Sequence, residues 1–286
     1  MSEPGRGLTV ALFATCVNDL MFPSTPRAVQ VVLERLGCRV EFPPGQTCCG
    51  QMFTNTGYFS AGLDTVRAYA EAFDGYDYVV APSGSCVGSV RHQHAMLVDQ
   101  AGLAAREPAL AAAVTRALAR TYDLSEFLVD ILGVVDVGAS FPHRVTYHST
   151  CHSLRVAGVG DRPVRLLRAV RGLQLIDLPD AEVCCGFGGT FCVKNPDLSV
   201  ALASEKARNV VATGADYLVA GDNACLLNIG GILHRARAAV RPIHLAEVLA
   251  SREGDFSDAV CVTSAGIPGG IPAEVTYIRP MGGSHD

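Results

Sequence analysis

Short apolar runs alternate with longer stretches whose apolar positions recur every three or four residues, and the whole alternation occurs twice along the chain. Residues 9–14 (TVALFA) are apolar on both faces and predict a buried strand. The stretch VQVVLERL that follows has helical spacing. Ser24 or Thr25 is its expected cap, Pro26 lies in its first turn and Gly37 is a natural C′ residue. Residues 39–42 predict a short strand, 58–73 a helix and 76–81 a central parallel strand. The same order returns at 144–148, 163–170, 174–178, 196–213 and 216–219. Strands alternating with helices of about 10–15 residues imply parallel β-α-β units. The expected fold class is therefore α/β, with two pseudo-symmetric Rossmann-like halves, each a mostly parallel sheet with flanking helices. Residues 1–140 form the first half and 141–260 the second, with the junction in GASFPHR. Late in the halves, DLSEFLVDILG resembles HLAEVLAS at a shorter offset, so the first half carries extra residues, assigned to the alanine-rich stretch 101–120. Residues 261–286 form a Gly/Pro-rich tail without a counterpart and without predicted structure.

Composition narrows the class. Apolar residues make up 49% of 286 and charged residues 18%, enough to bury a sizeable core. Net charge is −5 and no Lys/Arg run stands out, so nucleic acid is not an expected partner. The opening MSEPGRGLTVALFATC lacks a basic n-region and a long apolar core, so it does not read as a secretory signal. No apolar run approaches the roughly 18 residues of a spanning helix. A cytoplasmic protein without a membrane span is expected. Eleven cysteines in such a chain are core filler, metal ligands or redox groups, and spacing must decide.

The spacing repeats. Cys48-Cys49-Gly50 recurs as Cys184-Cys185-Gly186, with Cys16 and Cys151 upstream and Cys86 and Cys225 downstream. Eight cysteines thus obey C-x31–32-C-C-G-x35–38-C twice. In open parallel sheets ligands gather beyond the carboxyl ends of the strands. All three loops of each half leave such ends, so each half is expected to converge four thiolates, a site for iron–sulfur or zinc. Adjacent cysteines of a regular strand point apart. Gly50 and Gly186 free the loop to turn both inward, and Gly188 and Gly189 let further backbone N–H groups approach sulfur. A lone cysteine such as Cys38 or Cys261 reads as buried filler, and Cys192 as filler or an auxiliary thiol. His148 and His152 bracket Cys151; His152 is a candidate ligand or a donor to a cluster sulfur, against the plainer reading of a hydrogen-bonded loop histidine. His92 and His94 read as surface residues.

The duplicated motif, with PSGSC, HSTCHSLR and CCGFGGTF around it, resembles the cysteine-rich CCG-domain iron–sulfur family. That family includes a component of heterodisulfide reductase and the iron–sulfur component of glycolate oxidase, and the chain looks most like its short lactate-utilisation branch. The resemblance implies an oxidoreductase subunit with one or two [4Fe–4S]-type clusters on Cys16, Cys48, Cys49, Cys86, Cys151, Cys184, Cys185 and Cys225. It implies electron transfer in a complex oxidising L-lactate to pyruvate, with a ferredoxin-like iron–sulfur protein and a third subunit as partners. The fullest family motif ends in C-x-x-C, whereas here Ser83 and Asp222 take the first position of that pair. That departure disfavours a cluster needing five thiolates. It leaves open a four-thiolate cluster, one with an oxygen ligand from Asp222 or Ser83, or zinc in one half. No Walker loop is present and no Gly-x-Gly-x-x-Gly follows the first strand. No catalytic residue is assigned. The alternatives are a thiol–disulfide oxidoreductase using Cys48-Cys49 or Cys184-Cys185, and a zinc-stapled binding module.

Overall fold

The computed structural model describes residues 3–253. The expectations for 254–260, for the tail 261–286 and for Cys261 lie outside the described residues. Among the described residues eight strands form: β1 (Thr9–Leu12), β2 (Arg39–Glu41), β3 (Tyr78–Ala81), β4 (Thr121–Asp123), β5 (Arg144–His148), β6 (Gln174–Ile176), β7 (Tyr217–Ala220) and β8 (Arg241–His244). They pair as two four-stranded sheets, ordered β2-β1-β3-β4 and β6-β5-β7-β8. Every pairing is parallel. The two sheets are the same α/β unit written twice, as the repeated pattern predicts.

The central strands β1, β3, β5 and β7 are the apolar ones, because helices cover both of their faces. The helices Phe59–Phe73 and Pro196–Ala212 fall where helical spacing places them. Helix Ser24–Arg35 begins earlier than expected: Pro23 is its cap, and Ser24 and Thr25 lie in its first turn. Their hydroxyls donate instead to Glu247 Oε1 in the other half, at 2.7 and 2.9 Å. The extra residues of the first half form helices Leu103–Arg106 and Pro108–Ala119 before β4, whereas helix Asn223–Arg235 runs straight on to β8.

One core joins the halves. Val10, Leu12, Val29, Val32, Leu33, Phe127 and Leu128 from the first share a cluster with Val145, Leu166, Leu167, Val219, Leu245 and Val248 from the second. Helix Ser24–Arg35 packs on helix Leu245–Ala250, and helix Arg162–Ala169 on Leu124–Glu126. The junction is inside as well: Phe141 is fully buried in the same cluster. Each sheet's other face has its own smaller core, around Phe13, Tyr69 and Phe73 in one half and Leu218, Val210 and Ile229 in the other. No helix among the described residues is long and apolar enough to cross a membrane.

Candidate metal centre

Each half turns sharply between its first strand and its first motif cysteine. Thr15 and Thr150 hold φ of 68° and 45°, a left-handed backbone that β-branched residues rarely adopt. Both are buried, and the Thr150 hydroxyl has no hydrogen-bond partner. Strain of this kind persists only where the surroundings enforce it, and it clusters at functional sites. The turn delivers Cys16 and Cys151 to the carboxyl edge of their sheets.

The Cys-Cys-Gly loops arrive at the same edge. Cys16 Sγ lies 3.8 Å from Cys48 Sγ, and Cys151 Sγ 3.9 Å from Cys184 Sγ. Cys49 in turn hydrogen-bonds Cys48 and Cys86, and Cys185 hydrogen-bonds Cys184 and Cys225. The structure therefore brings four sulfurs together in each half, as two chains of thiol contacts. Gly50 and Gly186 make the turn that allows it, at φ 80° and 85°. A Cβ at Gly50 would collide with Thr65 Oγ1, and one at Gly186 with the Ser199 carbonyl. Their N–H groups donate to Cys48 Sγ at 3.4 Å and to Cys184 Sγ at 3.3 Å.

Crowded thiols divide their protons unequally. Donation from Cys16 and Cys49, with the Gly50 N–H, pulls Cys48 down to about 3. The matching donors Cys151, Cys185 and Gly186 pull Cys184 down to about 2. The donor thiols Cys16, Cys49, Cys151 and Cys185 move up, first because they hydrogen-bond those anions and then through burial. Cys225 falls to about 7, held by its bond from Cys185 against the cost of burial. Each set so carries one ready thiolate and several thiols that a bound cation would deprotonate, the behaviour of a soft-metal site.

Ser83 and Asp222, the two oxygen positions of the motif, meet each other. Ser83 Oγ donates to Asp222 Oδ2 at 3.3 Å, and the Ser85 N–H donates to the same oxygen at 3.2 Å. Ser83 Oγ also accepts from the Cys86 N–H at 3.3 Å. Both side chains are buried. Next to them Asn223 Nδ2 donates to Asn18 Oδ1 at 2.9 Å and Thr25 Oγ1 at 2.8 Å. The helix starts that carry Cys86 and Cys225 are thus tied across the two halves.

The histidines fall differently from the sequence reading. His152 follows Cys151 half-buried, and what it gives that sulfur is its backbone N–H, as Val17 does for Cys16. His92 is exposed, but His94 is not a surface residue. It is 1% exposed, its Nε2 is 2.9 Å from the Cys49 carbonyl, and burial holds its pKa down to about 4. The π-helical segment Ser89–His94 rotates it inward. His148, not selected from the sequence, is fully buried, with a ring nitrogen within 4.8 Å of the Cys185 and Cys225 sulfurs. Its signal was strand parity: Val145 and Tyr147 face the shared core, so Thr146 and His148 point to the other side. Cys38 fills the shared core, and Cys192 donates to the Gly189 carbonyl at 3.0 Å. Lys206, 2% exposed, gives its ammonium to the Asp180 carbonyl on the second half's side.

Similarity to known proteins agrees with this layout. The chain is 43% identical over 252 residues to lactate utilization protein A of Oceanobacillus iheyensis, covering 87% of this chain and all of that protein. It is 46% identical over 245 residues to lactate utilization protein A of Geobacillus kaustophilus, covering 86% of this chain and all of that one. Among solved structures, a hypothetical protein from Helicobacter pylori shares the fold, at TM-score 0.53 and 13% identity, over 88% of this chain and 50% of that one. The cysteine-rich domain model, CCG, matches residues 10–91 and 145–230, which enclose all eight motif cysteines. The chain therefore belongs to the cysteine-rich CCG-domain family.

Proposed function

We propose that the chain is an iron–sulfur electron-transfer subunit of an oxidoreductase complex that converts L-lactate to pyruvate. The observation that carries this reading is the convergence of four sulfurs at the sheet edge in each half. The name of its relatives, lactate utilization protein A, supplies the substrate. In this reading residues 1–140 and 141–260 are two cluster-binding modules, each offering its four cysteines to a [4Fe–4S]-type cluster. Such a cluster takes up and passes on one electron at a time.

The protein's own groups prepare those sites. The Gly50 and Gly186 N–H groups point at sulfur, and backbone donors of this kind stabilise a thiolate and tune the centre it binds. Cys49 and Cys185 are almost fully buried, which keeps water from the inner ligands. Asp222 is engaged with Ser83 and Ser85 and serves as a spacer between the sites. All ten described cysteines are unbridged, which suits a reducing, cytoplasmic setting. Leu20, Met21, Met52, Val183 and Val193 are exposed within a few residues of motif cysteines in the sequence, and in this reading the partners, a ferredoxin-like protein and a third subunit, cover such side chains.

Anaerobic purification with iron, acid-labile sulfide and zinc analysis tests the reading. Stoichiometric iron and sulfide, broad visible absorption and bleaching by lactate in the presence of the partner proteins are expected. A colourless protein with stoichiometric zinc would instead establish the zinc-stapled module. Metal-free protein that reversibly forms a Cys48–Cys49 or Cys184–Cys185 disulfide would establish the thiol–disulfide enzyme.

A further inference from the structure

The two thiol sets have the same cysteines but different neighbours. Three residues before Cys151 stands His148, and three before Cys16 stands Phe13. Phe13 completes an aromatic cluster with Tyr69 and Phe73, at centroid distances of 5.3 Å. His148 is surrounded otherwise. It has no exposed surface, and its Nδ1 lies 3.1 Å from the Ala181 carbonyl. That contact assigns the proton to Nδ1 and leaves Nε2 with a free lone pair. Nε2 is buried with no nitrogen or oxygen partner, and the ring's remaining polar contact is with the Cys225 sulfur. One ring nitrogen of His148 and the Cys185 and Cys225 sulfurs all lie within 4.8 Å of one another.

An unpartnered buried nitrogen is costly, but His94 and His244 bury one as well, so what singles out His148 is the pair of sulfurs beside it. An imidazole that donates one N–H to a backbone carbonyl and aims the other nitrogen at thiolates has the arrangement of a metal ligand with its outer partner in place. His94, near the first set, likewise gives one nitrogen to a carbonyl and buries the other without a partner, but among the described residues it forms no such group with two sulfurs.

We propose that His148 binds the metal of the second centre through Nε2 in place of one of that half's four cysteine sulfurs, so that the second half holds a mixed nitrogen–sulfur centre and the first an all-sulfur one. This rests on the iron–sulfur reading above and adds to it that the two centres are chemically distinct. Replacing anionic sulfur by neutral imidazole nitrogen raises the potential of an iron–sulfur centre. The second centre is then the better electron acceptor, and the pair defines a direction for electron flow from the first to the second.

The test uses the full chain, labelled with 15N-histidine and loaded anaerobically with iron and sulfide. Pulsed EPR of the reduced protein should show one strongly coupled histidine nitrogen. The coupling should vanish in His148→Phe, which copies the first half, and in His148→Gln, which keeps a polar group should phenylalanine disturb packing. It should persist in His152→Gln. An EPR-monitored redox titration should show two midpoints, with only the higher one moving down in the His148 variants. Full iron loading with no nitrogen coupling, or coupling that survives both His148 variants, overturns the assignment and leaves the iron–sulfur reading standing. Failure to bind iron at all overturns both.

Discussion

Cys48 and Cys184 are the residues at which the motif becomes chemistry, because each is the thiolate its neighbours already stabilise. Their followers Cys49 and Cys185 sit deeper, touching the thiols on either side. Cys185→Ser should therefore strip the second centre of iron while leaving the sheet intact. Serine oxygen is a far poorer ligand for cluster iron than thiolate. The residual cost is a buried hydroxyl, about 1–3 kcal/mol. Iron, sulfide and thermal midpoint measured on one anaerobic preparation check it; unchanged iron with a collapsed midpoint would mean that the cysteine only fills space. Gly186→Ala isolates the turn from the ligands. It forces a left-handed residue and a Cβ against the Ser199 carbonyl, at a cost of about 1–3 kcal/mol. A urea midpoint equal to that of the parent chain would remove the glycine's role.

At the scale of elements, the last strand–helix step of each half is written in the same capping language. Asp123 with Glu126, and His244 with Glu247, form capping boxes. Glu247 also accepts from Ser24 and Thr25 across the halves. Glu247→Ala should destabilise by about 2–3 kcal/mol, a lost cap plus buried hydroxyls without acceptors, and Glu247→Gln should recover most of it. Denaturant melts of both variants decide this. Asp123 gives a pH signature. Burial raises its carboxyl from 3.8 to about 6. The folded chain then binds that proton more tightly than the unfolded one, so this group's contribution is greatest below 3.8 and is lost as pH rises through about 6. Asp123→Asn keeps an acceptor for the Ser125 N–H and should flatten unfolding free energy across that window; an unchanged slope would exclude Asp123 as its source. The early start of helix Ser24–Arg35 was not legible because the hydroxyls that looked like caps bind a partner 222 and 223 residues away. The inward turn of His94 was hidden for a similar reason: a π-helical segment breaks the 3.6-residue count that placed it outside.

At the scale of the molecule, the two sheets are separate and the core between them is not. A half of this size would ordinarily suffice to fold alone. Here each half contributes one apolar face to a common cluster, and that face would lie open without the other. Fragments 3–138 and 139–253 should each be poorly structured, and the whole chain should unfold in a single transition. Dispersed amide spectra from either fragment, or two separated urea transitions, would contradict this. The same joining ties the start of the helix that carries Cys86 to that of Cys225 through Ser83, Ser85 and Asp222, and ties Asn223 to Asn18 and Thr25. Asn223→Ala should lower stability by about 1–3 kcal/mol, since Asn18 and Thr25 lose a buried donor. A loss in urea midpoint that is not matched in Asn18→Ala would separate Asn223's own packing from the bridge.

The sequence by itself determined the repeated unit. Strand and helix periods are local, and so is the order in which cysteines leave strand ends; a parallel sheet turns that order into convergence, so eight of the sulfurs could be grouped from spacing alone. What faces those sulfurs from other elements is set by packing, which no period records. Strand parity and the Ala181 carbonyl direct His148 to Cys185 and Cys225, whereas the sequence neighbour His152 reaches its cysteine only through backbone. Ser83 and Asp222, read as open oxygen positions, are 139 residues apart and bond one another only because the two halves close on a shared core.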